Sequence, residues 1–165
     1  MTRKRLLIIW HSRTGGSEAL ALAAARGALV ARAVQLDVRQ AEDTDAATLL
    51  AAAGYLFVAP ENLASLSGAM KEMFDRHYYD VLGRIEGRPY ATIICAGSDG
   101  TGAQRQLDRI ATGWRLRRVA EPIIVITGAQ TGEAIWAAKV IENKDLVAAE
   151  ELGAALAEGL AAGIF

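Results

Sequence analysis

Short apolar runs alternate along the chain with longer stretches of helical composition. Residues 6–10 form the first run, flanked by Arg3, Lys4 and Arg5. Residues 17–30 are rich in alanine and leucine and predict a helix. Residues 33–38 alternate as a second strand, and Gln35, Asp37 and Arg39 place it near a sheet edge. Thr44 or Asp45 caps a short helix through Ala53, which Gly54 ends. Residues 55–59 are apolar on both faces, as a central parallel strand is. A loop at 60–64 leads to a helix over 66–77 and a turn at 84–88. Residues 90–96 make a fourth apolar strand, followed by a glycine-rich loop at 97–102 and a helix over 103–116. Residues 122–126 are the fifth strand, and Asn143 or Lys144 opens a last helix through Leu160. Residues 128–142 stay open between loop and a helical turn or two.

This alternation predicts an α/β fold, a five-stranded parallel sheet covered by helices on both faces. With right-handed crossovers the expected strand order is 2-1-3-4-5. Ligands of such sheets bind beyond the carboxyl ends of the strands, at the switch between strands one and three. The loops after strands one, three and four are therefore where chemistry belongs.

Composition narrows the field. The 165 residues fit one domain over 1–165, with 52% hydrophobic residues and a net charge of −1. Interspersed charge gives no electrostatic case for nucleic acid or an anionic membrane surface. No run approaches the roughly 20 apolar residues of a membrane span. Cys95 is the lone cysteine, so no internal disulfide framework exists. The expectation is a cytoplasmic protein.

After strand one comes Trp10-His11-Ser12-Arg13-Thr14-Gly15-Gly16-Ser17. A loop like this presents backbone N–H groups at a helix N-terminus, where the dipole favours an anion. Gly15 and Gly16 allow close backbone approach, and Ser12, Thr14 and Ser17 add hydroxyls. This is chemistry for a phosphate monoester. No lysine follows the glycines, which excludes the nucleotide-triphosphate loop. The pattern Ser/Thr-x-Thr-Gly-x-Ser/Thr, met here by Ser12, Thr14, Gly15 and Ser17, resembles the first loop of the flavodoxin-like FMN-binding proteins. The plainer alternative is a capped helix with a glycine turn and no ligand.

In the second loop, Pro60, Glu61, Asn62, Ser65, Gly68, Met70, Lys71, Phe74 and Asp75 fall on a pattern resembling the NAD(P)H-dependent FMN reductase and quinone oxidoreductase branch of that family. The resemblance implies a flavodoxin-like three-layer sandwich with FMN held by three loops. Ser12, Arg13, Thr14, Gly15, Gly16 and Ser17 surround the phosphate. Pro60 turns the chain over the site, Glu61 and Asn62 bond the flavin edge or ribityl chain, and Leu63 covers the ring. Ala96, Gly97, Ser98, Asp99, Gly100 and Thr101 face the pyrimidine end. The N–H groups from Ser98 to Thr101 then stabilise charge near N1 of the reduced flavin. NAD(P)H is the implied co-substrate and a small molecule such as a quinone or free flavin the electron acceptor. No side chain is needed as acid or base, and no metal is implied.

Other side chains carry plainer expectations. Lys71 and Asp75 make an i, i+4 surface pair. Met70, Met73, Phe74 and Trp10 belong to the core, and Cys95 is a small buried hydrophobe. Ser65 and Ser67 cap the next helix or meet the ribityl chain. Asp99 caps the helix after it. Arg105 is either a dinucleotide-phosphate contact or an exposed helix arginine. His11 is structural or reaches the site.

The main alternative is a non-enzymatic flavodoxin-type electron carrier. Near-neutral charge and the lack of an aromatic residue in the second and third loops, where such carriers sandwich the flavin, count against it. A phosphoacceptor receiver domain is excluded, because His11-Ser12 and Thr127-Gly128 stand where it needs an acidic pair and a lysine. No G-x-S-x-G supports a serine hydrolase. An interaction module that has lost its flavin stays open. Related reductases associate so that a neighbour completes the pocket, which implies a homo-oligomer.

Overall fold

A computed structural model describes residues 2–165. The chain runs β1 (Arg5–Trp10), α1 (Gly16–Ala31), β2 (Gln35–Gln40), α2 (Ala46–Ala51), β3 (Gly54–Asn62), β4 (Ser65–Leu66) and α3 (Gly68–Val81). It continues with β5 (Pro89–Ala96), α4 (Thr101–Gly113), β6 (Arg117–Arg118), β7 (Ile123–Ile126), α5 (Gly132–Trp136) and α6 (Asn143–Ala162). The sheet order is β2-β1-β3-β5-β6, with β7 also on β5. Apart from β4, every pairing is parallel. Counting only the long strands, this is the expected flavodoxin-like order, with β2 at the edge.

The two-residue period of the central strands sorts the core into two layers. Leu7, Ile9, Tyr55, Phe57 and Ile94 pack against α2, α3 and α4. Leu6, Ile8, Leu56, Val58, Ala91 and Ile93 pack against α1 and α6. All eight residues of β5 are buried, as a strand covered on both faces must be.

Four local expectations need correction. Residues 60–62 are not loop: β3 runs on through Pro60, Glu61 and Asn62, and a hairpin pairs Glu61 with Leu66 and Asn62 with Ser65. Its tip, Leu63 and Ala64, has φ of 53° and 62°. Neither residue signals such a turn in sequence. Gly54 opens β3 instead of ending α2; a Cβ there would lie 3.0 Å from Leu160 and 3.1 Å from Pro89. The second strand lies two residues later than its pattern predicts. The fifth strand is split, with Tyr90 opposite Arg118 but Ile93 opposite Ile123, so two extra residues bulge out between.

The open segment resolves into α5. The Thr131 hydroxyl accepts from the Ala134 N–H at its start. At its end Lys139 Nζ donates to the carbonyls of Ala134, Ile135 and Ala137 at 3.0, 2.9 and 2.7 Å. The Lys139 N–H reaches the Thr14 carbonyl at 2.8 Å, which ties this segment to the first loop. Among the described residues no helix is long and apolar enough to cross a membrane.

Candidate functional site

The three loops converge at the carboxyl edge of β1, β3 and β5, because these strands are neighbours in the sheet. Two of them lead into helices that open on a left-handed glycine, Gly15 (φ 93°) before α1 and Gly100 (φ 83°) before α4. Neither glycine has a side chain to cap its helix, so N-terminal N–H groups are left for other acceptors.

In the first loop Ser12 Oγ accepts from the Gly15 N–H at 2.9 Å and closes the turn. Arg13 is exposed, and Ser12, Thr14 and Gly15 are partly exposed. Gly16 is required by packing, since a Cβ there would stand 2.8 Å from Cys95 Sγ at the end of β5. Ser17 is 1% exposed, and its Oγ has no hydrogen-bond partner. Buried polar atoms are paired in the great majority of cases. An orphaned hydroxyl on the first turn of α1 fits an anionic oxygen supplied from outside the chain, so the loop suits the phosphate of FMN.

The second loop departs from expectation. The Glu61 carboxylate accepts from the Gly100 N–H at 2.9 Å and from the Ala103 N–H at 3.0 Å. It therefore caps α4 and is not free for a flavin edge. Asn62 and Leu63 are exposed on the hairpin. Ser65 and Ser67 neither cap a helix through their hydroxyls nor stay free: Ser65 Oγ donates to Gln106 Oε1 at 2.8 Å, and Ser67 Oγ bonds His11 Nδ1 at 2.9 Å. Lys71 and Asp75 pair at 2.7 Å, and Met70, Met73 and Phe74 are buried as expected.

In the third loop Ala96 is buried, Gly97 half-buried, and Ser98, Asp99 and Thr101 exposed. Asp99 points outward and accepts from the Thr101 hydroxyl at 2.8 Å. It also lies 3.4 Å from the Thr101 N–H, but the cap position of α4 is Gly100 and the N–H groups of Gly100 and Ala103 go to Glu61, so Asp99 is not the cap expected of it. Four N–H groups were expected to face the ring, but those of Gly100 and Thr101 are engaged by Glu61 and Asp99. Among the described residues, only the Ser98 and Asp99 N–H groups of these four are left without an acceptor.

Sequence reasoning missed the His11–Ser67 pair beneath the loops. Both side chains are buried, and Glu42 stands 3.6 Å from His11 Nε2. Burial pushes the His11 pKa down, Glu42 opposes this, and Arg13 adds to it. Burial likewise pushes the Cys95 thiol up to about 11, so it is no nucleophile at neutral pH. Among the described residues no cluster of His, Cys, Asp or Glu is arranged to hold a metal.

The family model for NADPH-dependent FMN reductase matches residues 40–131, more than half of the chain. The chain belongs to this flavodoxin-like, FMN-binding family. The match takes in the second and third loops, while the phosphate-type loop precedes it. A flavodoxin of Aquifex aeolicus is 29% identical over 98 residues, 59% of this chain and 51% of the relative. The match thus spans about half the length of that curated relative. Among solved structures, a flavodoxin from the domain Archaea superposes with a TM-score of 0.76 at 17% identity, over 94% of this chain and 98% of its own. A WrbA-like flavodoxin from Agrobacterium tumefaciens gives 0.68 at 18% identity, over 95% and 97%. At such identities the two structures establish the fold alone.

Proposed function

We propose that the chain binds FMN across its three loops and acts as an NAD(P)H-dependent oxidoreductase. The observation that carries this reading is the buried, unpartnered Ser17 hydroxyl in the phosphate-type loop of an FMN-reductase family member. In this reading Ser12, Arg13, Thr14, Gly15, Gly16 and Ser17 hold the phosphate. Pro60, Asn62 and Leu63 border the ring on one side, and Ala96, Gly97, Ser98, Asp99 and Thr101 on the other. Glu61 and Gly100 act indirectly, by fixing the third loop to the second. FMN supplies the redox chemistry, carrying two electrons from NAD(P)H to a quinone, free flavin or another small acceptor. The protein's share is binding, orientation and the electrostatics of the two helix N-termini.

Leu63, fully exposed at 101%, and the absence of aromatic residues from the second and third loops leave one side of the site open. In this proposal a second copy of the chain covers it, and the enzyme works in the cytoplasm.

The test is an absorption spectrum with added FMN, followed by anaerobic NADPH. Bands at roughly 370 and 450 nm that bleach within seconds support the reductase. A bound flavin that resists NADPH favours an electron carrier, the reading that the flavodoxin relative supports. No binding removes both. Sedimentation showing an FMN-loaded monomer sinks the shared pocket.

A further inference from the structure

Charge that is interspersed along the chain as a whole is gathered by the fold at one edge of the sheet. Residues 105–118 hold five arginines and one acid, Asp108, in a chain of net charge −1, so the remainder is net acidic. Arg105 and Arg109 stand one turn apart on α4, about 6 Å along its axis. Arg117 and Arg118 form β6 at the end of the sheet, and Arg115 precedes them. All five are exposed. Arg118 pairs with Asp108 at 2.9 Å, which joins β6 to α4 in one surface. Asp108 also accepts from the Tyr90 hydroxyl at 2.7 Å, so this acid is engaged. Among the described residues the other four guanidinium groups have no hydrogen-bond or ion-pair partner. Two exposed acids stand at the margins, Glu121 beside Arg117 and Arg118, and Glu86 in the turn whose Gly87 N–H bonds the Arg115 carbonyl.

An apolar strip lies among these charges. β7 is paired on one side only, with β5. Its Ile124 lines a shallow depression with Arg105, Asp108, Arg109 and Thr112. Ile126, two residues on, points to the same side of the strand and is 49% exposed beside Ala96, at the start of the third loop. An apolar centre rimmed by arginine is the composition of a protein–protein interface.

We propose that this edge docks an acidic protein, whose carboxylates meet Arg105, Arg109, Arg115 and Arg117 and whose apolar side chains cover Ile124 and Ile126. Charge selects this occupant. Guanidinium groups take carboxylates in a planar, two-bonded fit. A second copy joined through the same face would set two arginine clusters against each other. A nucleic acid would run from the arginines onto net acidic surroundings and leave the isoleucines uncovered. The proposal needs no bound flavin, so it stands or falls apart from the reductase reading.

Fluorescence anisotropy with labelled peptides tests it. The probes are a peptide of glutamates with leucines among them, the same peptide with glutamine for glutamate, and polyglutamate alone. The first should bind about tenfold or more tighter than the second, and about threefold or more tighter than the third. Raising the salt from about 0.01 to about 0.15 M, which shortens the screening length from about 30 to about 8 Å, should weaken it about tenfold. R105Q/R109Q should lose about tenfold or more, whereas R105K/R109K, which keeps the charge, should retain most of the affinity. I126T should weaken the leucine peptide about threefold and leave polyglutamate unchanged. Arg105 and Arg109 are exposed and Ile126 half-exposed, so the variants should melt like the wild type. No binding by the wild type, equal affinity for the glutamate and glutamine peptides, or affinity that survives in R105Q/R109Q overturns the proposal. Equal affinity for the leucine peptide and polyglutamate overturns the part assigned to the isoleucines. Tighter binding of an oligothymidylate or of phosphatidylserine vesicles also overturns it, and gives the face to a nucleic acid or a membrane.

Discussion

Ser17 and His11 show how single side chains near the first loop combine stability with readiness for a ligand. The Ser17 hydroxyl is buried without a partner, and a group left so costs about 1–3 kcal/mol. Ser17→Ala should therefore leave the flavin-free protein as stable or more stable by about 1 kcal/mol. It should also weaken FMN about tenfold, the worth of one hydrogen bond to a charged group. Melts and flavin titrations measure both, and unchanged FMN affinity would place the phosphate elsewhere. His11 has a folded-state pKa below its ordinary 6.5 because burial disfavours the charged form. Between the two values the unfolded chain binds a proton that the folded chain refuses. The contribution is fully present above about pH 6.5 and is lost as pH falls through that range. The melting temperature should drop from pH 7 to 5 in the wild type and drop less in His11→Gln. Parallel curves for the two proteins would refute this.

Among the elements, the β3–β4 hairpin and the start of α4 carry local strain and its compensation. Leu63 and Ala64 both adopt left-handed backbone at a two-residue turn, a conformation that costs most residues about 1–2 kcal/mol. Replacing them with Asn and Gly, the pair such turns prefer, should raise stability by about 1 kcal/mol in denaturant titration. An unchanged midpoint would mean that the turn relaxes in solution. The hairpin matters because it carries Glu61 to the end of α4, where the carboxylate takes two backbone N–H groups. Glu61→Gln keeps the shape but loses the charge, and should cost about 1–2 kcal/mol. Amide exchange at Gly100 and Ala103 should quicken in that variant. Exchange as in the wild type would show that the carboxylate is not their acceptor.

For the whole molecule, the close approach of α1 and α6 closes one layer behind the phosphate-type loop. A Cβ on Gly153 would run into the Ala24 carbonyl, and one on Gly27 into the Glu150 carbonyl. Gly153→Ala should therefore destabilise by about 3 kcal/mol through overpacking, whereas the half-exposed Leu22 on α1 should tolerate polar replacement far better. Thermal melts compare the two, and a silent Gly153→Ala would mean that the helices separate easily. At this scale the alternating β and α composition was enough to foresee the sheet order, the edge position of β2 and the convergence of three loops. Those follow from local periodicity, burial on two faces and the handedness of crossovers, all of which are written along the chain. Which polar group meets which was decided only in three dimensions. Glu61 on α4, Ser67 on His11 and Lys139 on Thr14 join residues far apart in sequence. A hydrogen bond depends on positions within a fraction of an ångström, and only the packed layers set positions that closely.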